Sequence, residues 1–269
     1  MTISHEEYDA LPAINWSSLK HIGVSPFDYQ WHRQHPVPRK PAFIFGGAVH
    51  CAILEPEKFD ARYAVFDGTR NAKHKEWQAW QAEHPGVESL KSHELARVKA
   101  IAKSVMDHRV AKELLKGGRR EEPQTWVDEA TGLACKGRFD YVRPEFVLDL
   151  KSSHNPAPAR FERDALAYGY GGQVAFYHDG ATRLRLIDGR TRPFIIAVQS
   201  KAPFHVVAFQ LEPETLEAGR ALYRSLLRRL IECTEANYWP GLAPELQPLR
   251  LPPWAEGQLL SQEDEEEAF

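Results

Sequence analysis

The chain has 269 residues, 43% hydrophobic and 26% charged, as in a folded globular protein. No apolar run reaches the ~18 residues of a membrane-spanning helix, and "MTISHEEYDA" is too polar and acidic for a secretion signal, so a cytoplasmic protein without membrane contact is expected. The net charge of -3 is uneven: "SQEDEEEAF" at the end carries five acids, and without it 34 basic residues face 32 acidic ones, which neither demands nor forbids a nucleic-acid partner.

Three cysteines, Cys51, Cys135 and Cys233, are too few for a four-cysteine iron–sulfur cluster and form no CxxC pair. They read as small buried side chains.

In chain order, "INWSSLKHIG" predicts a short capped helix closed at Gly23. "SPFDYQWHRQHPVPRKP" opens on Ser-Pro and runs into a proline-rich basic loop. "AFIFGGAVHCAILEPE" predicts an apolar helix with Phe43, Phe45, Val49, Ile53 and Leu54 packed inward and His50 among them. Tyr63 to Phe66 reads as a short strand, and residues 67–92 show no strong period. Leu95, Val98, Ile101, Ala102, Val105 and Leu114 recur at helical spacing, predicting one helix from His93 to Leu115 that "KGGRR" ends.

The pattern then becomes strand-like. "PQTWVDEATGLACKGRFDYVRPEFVLDLKSS" is three strand runs separated by turns near "EATG" and "RPE". Ala159 to Asp179 is helical and broken by "YGYGG"; "PFIIAVQSK" and "FHVVAFQLEP" add two strands. A long helix runs from Pro213 to about Asn237, and "YWPGLAPELQPLRLPPW" is expected to wrap the surface. The whole predicts an α/β fold, a central mixed, mostly antiparallel sheet flanked by helices. One domain is expected over 1–258, helical to about 120 and carrying the sheet over about 121–240, followed by an acidic, disordered tail at 259–269.

"FVLDLKSS" holds two charges inside an apolar strand. Burying a charge is costly unless it is paired or bound. Alternation puts Asp149 and Lys151 on one face and Phe146, Leu148 and Leu150 on the other. Across the "RPE" turn, Asp140 falls opposite Leu148 or Asp149, a single-residue bulge deciding which. Two carboxylates held together need a proton or cation between them. Hard oxygen donors point to Mg²⁺, with Mn²⁺ as a substitute. An Asp-x-Lys pair alone is equally a structural ion pair, and it occurs once, at Asp149 and Lys151. Gln173 and Tyr177, four apart, share a face of the next helix.

The order His50, Asp140, Asp149-x-Lys151, Gln173-x-x-x-Tyr177 resembles the PD-(D/E)xK nuclease superfamily, in its RecE-like and RecB-like exonuclease branch. The likeness runs through "INWSSLKHI", "SPFDYQWH", "GGAVHCAILEPEKF", "TGLACKGRFDYV", "VLDLKSS", "YGYGGQVAFYHDG" and "FIIAVQSKAPFHVVAFQL", most of residues 14–211. It departs at Phe139, where the superfamily name has proline, a position that varies in this branch. The resemblance implies a PD-(D/E)xK core and Mg²⁺ held by Asp140 and Asp149. It gives Lys151 a phosphate- and water-facing role and makes His50 a further metal ligand or proton-handling group. Gln173 and Tyr177 would contact the DNA end or brace the site, with Glu121 and Glu122 as weaker candidates for an additional acid.

The activity so implied is exonuclease digestion of linear double-stranded DNA, 5′→3′, leaving a 3′ overhang for recombination. Its partners would be double-stranded DNA ends, a single-strand annealing protein, and further copies of the chain in a ring. Phosphate-contacting cations would come from "RQHPVPRK", "KGGRR", "RLRLIDGRTR" and Arg220, Arg224 and Arg228 on one helix face. Trp16, Phe27, Tyr29 and Trp31 read as core or as base-stacking residues. The alternatives are an endonuclease, a Cas4-like single-strand exonuclease, which the cysteine count disfavours, and an inactive DNA-binding module, which the intact Asp140, Asp149 and Lys151 disfavour.

Overall fold

A computed structural model describes residues 5–35, 41–243 and 245–250. The tail at 259–269 and the basic loop at 36–40 lie outside the described residues. The first part is helical: α1 (His5–Ala10), α2 (Trp16–Leu19), α3 (Pro26–Gln34), α4 (Pro41–Leu54) and α5 (Phe59–Arg62). Local chemistry sets the starts. The Asn15 side chain caps α2 by accepting from the Ser18 amide at 2.8 Å, and Ser25 caps α3 ahead of Pro26.

Next come β1 (Tyr63–Val65), α6 (Lys75–Glu83), β2 (Glu88–Leu90), α7 (Ser92–Asp107) and α8 (Arg109–Leu114). β1 and β2 form a small parallel pair. The single helix expected over 93–115 is two helices. His108 is extended (φ -73°, ψ 114°), and its ring nitrogen accepts from the Ala111 amide at 3.2 Å, capping α8. α3 and α6 were not anticipated as helices. In α6 the anchors Trp77 and Trp80 stack on each other, but its other residues are polar or alanine, so its period is weak.

The sheet consists of β3 (Arg119–Val127), β4 (Ala134–Arg143), β5 (Phe146–Ser153), β6 (Phe194–Gln199) and β7 (Val206–Gln210), ordered β3-β4-β5-β6-β7. Within this sheet only β5 and β6 pair in parallel, because α9 (Pro158–Tyr168) and α10 (Tyr170–Arg183) intervene as a crossover. Gly169 separates those two helices in the left-handed conformation, φ 70°, which glycine adopts without steric cost. α11 (Pro213–Glu235) packs against α10.

Each face of the sheet is buried. One carries Tyr141, Phe146, Leu148, Leu150, Ile196 and Val198 against Val49 and Leu54 of α4 and Ile101 of α7. The other carries Phe139, Val142 and Val147 against Phe176 of α10 and Leu227 of α11. Alternation in β5 is as expected. β4 breaks the rule: Phe139 and Tyr141 are two apart, yet pack in different cores.

The break falls on the one rung missing from the β3–β4 ladder, between Arg120↔Tyr141 and Glu122↔Phe139. Glu121 and Asp140 occupy it, and Glu121 has φ 49°, uncommon outside glycine.

Phe43 does not pack inward as expected; it is 61% exposed, while Phe45, Val49, Ile53 and Leu54 are buried. All three cysteines are buried and free. The C-terminal segment touches the surface first, Trp239 stacking on Tyr29 at 5.9 Å, but Leu246 and Leu249 are fully exposed, so the expected wrapping stops there. Among the described residues no helix is long and apolar enough to cross a membrane.

Candidate active site

The β4–β5 ladder runs Arg143↔Phe146, Val142↔Val147, Tyr141↔Leu148 and then ends. Continued one position past its end, that register sets Asp140 opposite Asp149, the second of the two registers allowed by the sequence. Where the ladder ends, the Asp140 carboxylate takes a backbone bond in place of a strand partner, its Oδ2 accepting from the Leu150 amide at 2.7 Å.

That same Oδ2 lies 3.7 Å from Nδ1 of His50, and Oε1 of Glu121 is also 3.7 Å from Nδ1. Ligand atoms of His50, Glu121 and Asp140 all lie within 4.8 Å of one another. Glu121 reaches this group through its left-handed backbone, a strain of the sort found at functional sites. Asp149, expected with Asp140 as a metal ligand, interacts electrostatically with Asp140 and His50, and its Oδ2 is 2.6 Å from the Lys151 ammonium. Glu122 stays outside the group, 3.1 Å from Arg119.

Lys151 is held on three sides. Besides Asp149, it donates to Oε1 of Gln173 at 3.0 Å and lies 4.9 Å from the centre of the Tyr170 ring. The Gln173 side chain also hydrogen-bonds Tyr177. The Tyr177 ring packs on Phe139, centroids 5.3 Å apart, and passes so close to Gly137 that a Cβ there would meet it at 2.8 Å. Gln173 and Tyr177 therefore sit at the lysine, within electrostatic reach of Asp140. Sequence reasoning missed Tyr170, whose "YGYGG" setting reads only as a helix break.

Protonation follows the crowding. Burial, and then Asp140, push the Asp149 carboxyl up to about 6 against the opposing pull of Lys151. Asp140 is raised by burial and by Glu121, partly offset by His50 and Lys151. Burial alone would lower His50, but Asp140 and Glu121 outweigh it and hold the imidazole at about 9. Burial likewise opposes the Lys151 charge, and Asp149 and Asp140 overcome it, so the ammonium persists. Burial raises Tyr177 and keeps its phenol neutral.

The donors suit a divalent cation. Two carboxylates and an imidazole match Mg²⁺ or Mn²⁺ better than a soft metal. In addition, both Asp149 oxygens are buried without a well-formed hydrogen bond from the described residues; Lys151 meets Oδ2 by charge and proximity rather than by bond angle. Those lone pairs remain for a ligand.

The His50 group opens into a cleft of about 490 Å³ bordered by Phe43, Gly46 and Gly47 of α4 and by Arg62 and Arg138. A larger hollow, about 710 Å³, lies between α10 and the β3–β4 turn and contains none of these residues. Of the other sequence candidates, Arg220 and Arg224 are tied to Asp179, Trp16 and Tyr29 are core, and Phe27 and Trp31 are half exposed.

A mixed sheet whose central strands part at paired aspartates, with Asp-x-Lys on the second strand, defines a nuclease of the PD-(D/E)xK class. Residues 15–252 match the family described as "PDDEXK-like domain of unknown function (DUF3799)", and the chain belongs to that family. Among solved structures, a candidate exonuclease from Eubacterium rectale has the same fold, with TM-score 0.63, 13% identity and coverage of 94% of this chain and 96% of that one. A second, SSO0001, aligns at TM-score 0.28 and 13% identity over 82% and 85% of the two chains, too weakly to bear on the fold. No curated protein matches.

Proposed function

We propose that the chain is a Mg²⁺-dependent exonuclease that degrades linear double-stranded DNA from its ends, with Mn²⁺ able to substitute. One observation carries the reading: three metal-capable side chains converge at the rung where Asp149 faces Asp140, with Lys151 one turn of the pleat away. Direction 5′→3′, a 3′ overhang, a ring of subunits and a single-strand annealing partner belong to the same proposal and are supported by the RecE-like sequence pattern alone.

His50, Glu121 and Asp140 would hold the cation, with Asp149 available as a further oxygen donor. When bound, it lowers the pKa of a water and withdraws charge from the phosphate oxygens. The chain's own residues supply the rest. Lys151, held charged by Asp149 and Asp140, would act on the phosphate as a hydrogen-bond donor and positive charge. Asp149 compensates that charge during burial and aims it. Gln173 fixes the ammonium from the helix side, and Tyr177 braces Gln173 against β4.

The test is digestion of an end-labelled linear duplex beside a closed circle of the same sequence. Nucleotides released from the linear form with Mg²⁺, none with EDTA or with Lys151→Ala, and an intact circle are expected. Nicking of the circle would replace the exonuclease with an endonuclease; digestion that survives EDTA would overturn the mechanism. Labelling either 5′ or 3′ ends reads the direction.

A further inference from the structure

We propose that Phe43 is a positioning residue that stacks on a base of the substrate strand at the mouth of the cleft; the inference rests on the nuclease reading above. Phe43, Gly46, Gly47 and His50 are three and four apart in α4, so they share one helix face, and all four border the same cleft. Phe43 is 61% exposed on a helix whose other large apolar residues are mostly buried. Among the described residues nothing buries this ring, and an aromatic face stacks on any base without regard to sequence. Such tolerance is what an enzyme that digests DNA from its ends requires.

Gly46 points the same way. A Cβ there would meet no atom within 4 Å, so packing does not require glycine, which weakens a helix interior. Its absent side chain leaves the path from Phe43 to His50 clear. Seven residues of helix separate the two, roughly 10 Å along the axis, so the stacked base belongs to a nucleotide flanking the scissile bond. At about 490 Å³ the cleft has the size of a small-ligand site and admits part of one strand, not a duplex.

The experiment has a kinetic and an optical part. Steady-state digestion of a blunt duplex by wild type, Phe43→Ala, Phe43→Leu and Phe43→Trp is compared. Phe43→Ala is expected to raise KM roughly tenfold or more, with kcat within about twofold, Trp to restore wild-type KM, and Leu to restore it only partly. In parallel, 2-aminopurine placed at each of the end positions of an oligonucleotide should be quenched by wild type and Phe43→Trp but not by Phe43→Ala. Gly46→Leu should fold and bind Mn²⁺ normally but lose digestion, because its side chain fills the cleft. The inference fails alone if wild type digests DNA and Phe43→Ala has an unchanged KM, if Leu equals Phe, or if Gly46→Leu digests normally. Wild type that digests no DNA with any divalent cation removes both the inference and the nuclease reading.

Discussion

Two carboxylates lie on the α10 side of this sheet, and burial, which raises both, is overcome in only one of them. Asp179, on α10, is surrounded by donors: Nε of Arg220 at 2.8 Å, the Tyr223 hydroxyl at 2.7 Å and Nη2 of Arg224 at 3.2 Å. Burial alone would raise it, but hydrogen bonds from His178, Tyr223 and Arg220 prevail and lower it to about 2. Asp149 is buried more deeply, its side chain 5% exposed against 21% for Asp179; it has one close cation and no well-formed hydrogen bond from the described residues, and is raised to about 6. A carboxylate fully satisfied by its own protein holds structure together; one left with open lone pairs beside a second acid is arranged for a ligand.

The comparison is sharpest when each cluster is broken in turn. Asp140→Asn, which keeps an oxygen for the Leu150 amide, should cut digestion by roughly a thousandfold or more while leaving the thermal midpoint nearly unchanged, as read by nuclease assay and scanning calorimetry on the same samples. Asp179→Asn should do the reverse. It leaves Arg224 without this anion and Arg220 with Glu217 alone, costing about 2 kcal/mol of stability, with kcat retained. If Asp179→Asn abolished digestion at temperatures where it stays folded, the two clusters would not be separable.

Acid titration sharpens the contrast. Asp179 has a folded-state pKa below its unfolded value, so its contribution is complete above about pH 4 and is lost as pH falls toward 2. Over that window wild type should lose about 2 kcal/mol that Asp179→Asn does not lose, measured by urea unfolding at stepped pH. An identical slope in both proteins would contradict the assignment.

The smallest effect concerns Glu121. Glu121→Gly relieves a left-handed backbone and should raise stability by about 1 kcal/mol, while weakening Mn²⁺ binding measured by calorimetry. A variant less stable than wild type would mean that Glu121 is held there for packing rather than for a ligand.

Much of the Asp149–Lys151 side was readable in the sequence. A period of two assigns their common face, and hairpin register left only Leu148 or Asp149 opposite Asp140. Spacing of four put Gln173 and Tyr177 together. Glu121 could not be ranked above Glu122, because what brings it to His50 is a positive φ at one rung, and no residue type marks that position. Phe43 was assigned inward because α4 is apolar all round, so its hydrophobic pattern does not say which face meets the core. His108 likewise interrupts a regular apolar period without any glycine or proline to signal it.

The central claim is that His50, Glu121 and Asp140 hold a divalent cation beside the Asp149–Lys151 pair. A crystal soaked in Mn²⁺ and recorded at the manganese absorption edge tests it most directly. The account predicts an anomalous peak within coordination distance of all three side chains, with an Asp149 oxygen turned toward it. Absence of a peak there at saturating Mn²⁺, or a peak ligated by other residues, would contradict it.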